Sequence, residues 1–237
     1  MEVVRKEGET PMFMLLTVAI APGLALFSYF YLRKQIHKEP SRSLLHTYIY
    51  GMLLTFPILF VQYVFEEEGV FASVFVSDVL FTSGLEEFFK WLILLIVVYG
   101  HVDFEDPYDG ILFGATVSLG FATVENILFL LTFGMDEALI RALLPVSSHA
   151  LFGVVMGYYL GRAKFVEDSG TKPMLFLSFF TAFALHFVYN AFVMAGSIRM
   201  YLLIPFMLFL WWFALKNVKR AHLLSVDQYI KNQRTAR

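Results

Sequence analysis

Residues 83–99 read SGLEEFFKWLILLIVVY, an apolar run that carries two glutamates and a lysine inside a single helical turn. Neither a soluble core helix nor an ordinary amphipathic one explains it, because the polar groups sit at one end and the remainder is apolar on every face. The surrounding chain has the same character. Of its 237 residues, 58% are hydrophobic and 16% are charged. A soluble domain has roughly 45–50% apolar and about 25% charged residues. With 27 Phe and a mean hydropathy of +0.66, the chain is too oily for a disordered segment or a water-facing surface. A net charge of −2 argues against a nucleic-acid partner. The absence of cysteine excludes disulfides, thiolate metal sites and a thiol nucleophile. The composition therefore points to an all-α, polytopic transmembrane helix bundle whose other partner is the lipid bilayer.

A bilayer core of roughly 30 Å needs about 20 apolar residues per helix. Runs of that kind cover 12–32, 44–65, 110–133, 138–161, 173–196 and 200–215. The stretch 70–99 is too long for one upright span. Ser83-Gly84 suggests a broken or re-entrant segment around 70–84, with one long tilted helix as the alternative. About seven spans result, in a single integral membrane domain over 1–237, with a motif-bearing core at 84–190 and a basic tail at 216–237. Seven spans place Arg33, Lys34, Lys38, Arg42, Arg162, Lys164, Lys172 and the six bases of the tail on one side. Only Arg5, Lys6, Arg141 and Arg199 fall opposite. The positive-inside rule then sets the N-terminus outside and the C-terminus in the cytoplasm of a multi-pass cell-membrane protein.

Ionisable groups inside spans are the informative ones, since Asp, Lys or Arg at a helix centre costs at least about 2.5–3.5 kcal/mol. Glu86 and Glu87 lie four and three residues before Lys90, so its ammonium reaches either carboxylate. Glu125 and Asn126 interrupt the fourth span, and His149 sits within the fifth. His186 and Asn190 share a face of the sixth. His149, Gly153, Gly157 and Gly161 form a ridge that lets a neighbouring helix approach. Plainer readings exist for each group: Ser83 to Glu86 fits a capping box, Glu87 and Lys90 an ion pair, Glu125-Asn126 polar glue. Taken together, the groups suit hydrolysis of an amide by activated water. A glutamate takes the proton, the imidazoles hold water or polarise a carbonyl, and an Asn amide steadies the oxyanion. No cofactor is expected. A zinc-dependent membrane metallopeptidase is the alternative, with Glu86, Glu125, His149 and His186 as ligands, although no His-Glu-x-x-His occurs. A proton-coupled transporter is a further alternative, since buried Glu, Lys and His also serve as relays.

The motifs EEFFK (86–90), Asp109-Gly110, GFATVEN (120–126), SHALFG (148–153) and HFVYN (186–190) resemble, in order, those of PrsW-type intramembrane proteases. These are distant relatives of the CAAX prenyl proteases and Abi proteins. The resemblance implies a glutamic-type intramembrane endopeptidase in which Glu86, Glu87, Glu125, His149, His186 and Asn190 are catalytic, with Lys90 and Asn126 in support. Glu125 stands where the CAAX relatives more often carry His, and Lys90 lies one residue earlier than their usual Arg, so a prenylated substrate is disfavoured. The resemblance further implies a membrane-anchored protein substrate and, by analogy with studied members, first-site cleavage of an anti-sigma factor.

Overall fold

Helix α4 (Pro107–Phe133) is buried along most of its length, and the other helices are arranged about it. The computed structural model describes residues 12–34, 41–71, 73–135, 138–166 and 170–235. Arg5, Lys6, Lys38 and Arg237 of the charge tally lie outside these residues. In chain order the remaining helices are α1 (Met12–Leu32), α2 (Ser41–Glu67), α3 (Thr82–Ile93), α5 (Ala138–Arg141), α6 (Ser147–Phe165), α7 (Thr171–Val193) and α8 (Arg199–Thr235). Among the described residues there is no strand, and six helical stretches are long and apolar enough to cross a membrane. The protein is a multi-pass membrane helix bundle.

From Val74 onward the described residues before the paired glutamates are continuously helical. Residues Phe75–Phe81 are π-helical, α3 continues directly from them, and Leu94–Val98 is π-helical again. The backbone stays right-handed at Phe81 and Thr82, so Ser83-Gly84 breaks nothing. At the α-helical rise of 1.5 Å per residue the 24 residues would span at most about 36 Å, a length that matches the roughly 30 Å core. Ser83 is not a helix cap, because the helix has already begun upstream of it. A third π-helical turn, Ala142–Val146, joins α5 to α6 just before His149.

Small residues bring α4 against its two main neighbours. A Cβ on Gly157 would lie 1.9 Å from the Gly110 carbonyl oxygen, and one on Gly120 would lie 2.1 Å from that of Tyr48. Backbones this close leave no room for a side chain, and van der Waals contact of that kind holds helices together where lipid removes the hydrophobic driving force.

The start of α4 is locked from three directions. Asp106 caps the helix by accepting from the Tyr108 amide at 2.7 Å, and Asp109 reaches back to the Asp106 amide at 2.9 Å. Lys34, at the end of α1, donates to Asp109 and lies 3.7 Å from Asp106. Ser225, far along α8, donates to Asp106 at 2.7 Å. The helix therefore begins at Pro107, three residues ahead of the apolar run that starts at Gly110. The last helix does not end near Leu215, as the apolar run alone implies. No Gly or Pro occurs after Pro205, so α8 continues through the basic tail for 37 residues in all. That is about 55 Å of helix, well beyond the membrane core.

Candidate active site

Glu86, Glu87 and Lys90 lie on one face of α3, turned inward towards α4, α6 and α7. The Lys90 ammonium donates to Glu87 Oε1 at 2.8 Å and to Glu86 Oε2 at 3.4 Å. It also lies 3.1 Å from His149 Nδ1 on α6. The ring of Phe121, from α4, sits beneath it with its centroid 4.1 Å from Nζ. Lys90 and Glu87 are both 0% exposed, whereas Glu86 retains 6%. A buried ammonium is tolerable here because carboxylates and an aromatic face replace its water.

The two histidines are held in defined tautomers by these partners. An ammonium has only protons to offer, so His149 Nδ1 accepts from Lys90 and Nε2 carries the ring proton. That Nε2 donates to Glu125 Oε2 at 3.0 Å. Glu125 is the outermost member, with a third of its side chain exposed. His186 Nδ1 donates to Glu87 Oε1 at 2.9 Å, which leaves its Nε2 lone pair free to accept a proton. The imidazoles meet edge to face, 5.1 Å between centroids, and Phe152 stacks on His186 at 5.0 Å.

Two expected members have other partners. Asn126 points away from Lys90 and donates to the Ala19 carbonyl of α1 at 2.9 Å, so it ties α1 to α4. Asn190 is one turn beyond His186 and donates to Ser83 Oγ at 3.0 Å. Its second amide proton is still available. Ser83, read from sequence as a cap, is instead the side chain that orients Asn190. Phe121 and Phe152 also shape the site; they lie within the GFATVEN and SHALFG motifs but carry no polar atom that would single them out as site residues. Asp78 lies exposed on the first π-helical stretch, outside the cluster.

The carboxylates and imidazoles lie between the middle of the bundle and one of its ends. Counting along each helix, Glu86 and His149 are about 16 Å, Glu125 about 12 Å and His186 about 10 Å from the end where α2 and α7 finish. They lie far from the Lys34–Asp109 junction at the opposite end.

A metal ion is chemically compatible with this set. Glu86, Glu87, His149 and His186 each offer a ligand atom, and the four atoms lie within 4.8 Å of one another. Two carboxylates with two imidazoles suit zinc, and Glu87 Oε2 is buried without a hydrogen-bond partner. The converging carboxylate is thus Glu87 rather than the Glu125 of the sequence-based ligand set, because Glu125 is drawn outward onto His149.

Comparison with known proteins agrees with the family resemblance. The model of the family described as PrsW family intramembrane metalloprotease matches residues 39–215. The chain is 48% identical over 217 residues to Protease PrsW of Bacillus subtilis (strain 168), covering 92% of this chain and all of that protein. It is 49% identical to Protease PrsW of Geobacillus kaustophilus (strain HTA426), over 89% of this chain and 93% of that one. A more distant Protease PrsW, from Clostridioides difficile (strain 630), is 28% identical over 83% of this chain and 87% of that protein. No solved structure matches the chain.

Proposed function

This chain belongs to the PrsW family of intramembrane proteases, and from that premise we propose that Glu86 activates water to hydrolyse a peptide bond of a membrane-anchored protein. The carrying observation is the asymmetry of the paired glutamates. Glu87 Oε1 is already shared between Lys90 and His186 at 2.8 and 2.9 Å, whereas Glu86 makes longer contacts, 3.4 Å to Lys90 and 4.0 Å to His149 Nε2, and keeps some exposure. The Glu86 carboxylate takes a proton from water, and the hydroxide adds to the scissile carbonyl carbon. The second amide proton of Asn190 donates to the oxyanion, and the proton held by Glu86 passes to the leaving nitrogen as the C–N bond breaks. Glu87 keeps His186 in the tautomer whose Nε2 accepts a hydrogen bond from the attacking water. Glu125 holds His149, and His149 in turn helps to fix Lys90.

Where zinc is bound, Glu86, Glu87, His149 and His186 would hold it, and it would supply Lewis-acid polarisation of water or carbonyl. The test is cleavage of a single-span substrate by purified protein, comparing wild type with Glu86→Gln, Glu87→Gln, His149→Ala and His186→Ala, with and without a strong chelator. Full activity in Glu86→Gln would refute the assigned base. Chelator-sensitive activity restored by zinc would replace the metal-free mechanism.

Orientation and substrate belong to the same proposal. The distribution of Lys and Arg supports an outside N-terminus and a cytoplasmic C-terminus. An anti-sigma factor is the substrate implied by the family resemblance, and co-expression with epitope-tagged candidates tests it by the appearance of a truncated product.

A further inference from the structure

Lys90 stands where a cation is called for. Its Nζ touches three of the four groups that converge as a ligand set: Glu86, Glu87 and His149. It is fully buried over Phe121, and it is anchored three and four residues from the carboxylates on the same helix. We propose that Lys90 is a built-in counter-ion of this site, so that a divalent metal ion enters only by displacing its ammonium.

Competition for lone pairs carries the argument. In the tautomer fixed by Lys90 and Glu125, the one ring lone pair of His149 is the Nδ1 pair that accepts from the ammonium, so a metal taking His149 as a ligand in that tautomer competes for it. Glu87 Oε1 already receives two donors. An ion bonded at about 2.0–2.2 Å to either oxygen of that carboxylate, the unpartnered Oε2 included, would lie no more than about 7 Å from Nζ if Lys90 stayed in place. Two positive centres so close, in a buried site, repel strongly. The four-carbon stem of Lys90 provides the means of escape by rotation. With Lys90 in place the three nearby carboxylates are partly neutralised; with it removed, a dense anionic and imidazole pocket is left without a cation.

The inference rests on the donor cluster of the candidate active site, and its test reads metal binding rather than proteolysis, so the two readings fail separately. Purified protein in detergent is titrated with Co²⁺, read by visible absorption, and with Zn²⁺ in competition with a chromophoric chelator. Lys90→Met is expected to bind one ion at least about tenfold more tightly than wild type. The double variant Lys90→Met/Glu87→Gln is expected to lose that gain, and Lys90→Arg to stay as weak as wild type. Equal or weaker binding by Lys90→Met overturns the proposal. Should Lys90→Met fail to give a monodisperse folded protein, wild type alone decides. A zinc dissociation constant above about 1 µM agrees with a resident competitor, and nanomolar binding of one zinc overturns it.

Discussion

Glu86 and Glu87 are adjacent in the chain, yet a helix turns them about 100° apart, and that rotation separates their surroundings. Glu87 faces Lys90 and His186 in the dry interior, while Glu86 lies nearer the reachable side. Replacing Glu86 with Gln keeps shape and removes the base, so kcat is expected to fall by at least about 100-fold with the melting temperature little changed. Single-turnover cleavage and a thermal melt check both halves of that statement. Asn126→Ala is expected to behave in the opposite way. Its amide bonds the α1 backbone, so the loss includes an interhelical hydrogen bond, about 0.6 kcal/mol in a membrane protein. Cleavage should persist in that variant while the melt shifts slightly downward.

Helices α4 and α6 approach so closely because glycines face each other along both. Gly157→Ala would drive a methyl group into the Gly110 backbone. Overpacking of this kind costs about 1–3 kcal/mol or more, and since α6 carries His149, activity should fall together with stability. Gly84→Ala is the matched control, because there a Cβ would meet only the Phe183 ring at 3.5 Å. Alanine also favours helix over glycine, so this variant should melt no lower than wild type. Equal destabilisation by the two would show that helix propensity, not close approach, governs these positions. The π-helical turns belong to the same scale. One lies directly before Ser83 and the glutamates and another directly before Ser147 to His149, so each rotates the polar face of the next helix.

Among the described residues two buried charged clusters stand out, one nearer the middle of the bundle and one at the end where α4 begins. One is the Glu–Lys–His cluster, and the other is the junction of Lys34, Asp106, Asp109 and Ser225. The junction ties the end of α1 and the extension of α8 to the start of α4, far from the chemistry. Lys34→Met would remove the ammonium from two buried carboxylates, a change that typically costs about 3–5 kcal/mol. A marked drop in melting temperature is expected, and unfolding measured in detergent checks it. If the junction contributed little, the variant would melt as wild type does. Orientation is also a property of the whole chain: a fluorescent protein fused after Arg237 should fold and fluoresce in the cytoplasm, and fluorescence only from an N-terminal fusion would reverse the assignment.

Much of this was legible in the sequence. Span lengths come from the reach of a helix across hydrocarbon. The spacing of Glu86, Glu87 and Lys90, or of His186 and Asn190, comes from 3.6 residues per turn. The order of the motifs identified the family. The relations between helices were not legible, because helical periodicity says nothing of how one helix is rotated or raised against the next. Close glycine contacts and the π-helical turns settle that register. Contacts between helices then place Asn126 against α1, Asn190 against Ser83 and Glu125 against His149. They also bring Lys90 against His149, 59 residues away in the chain. The sequence by itself determined a membrane bundle carrying a costly set of charges. Only the tertiary structure decided which of those charges share a lone pair, because that depends on distances of a few ångströms between separate helices.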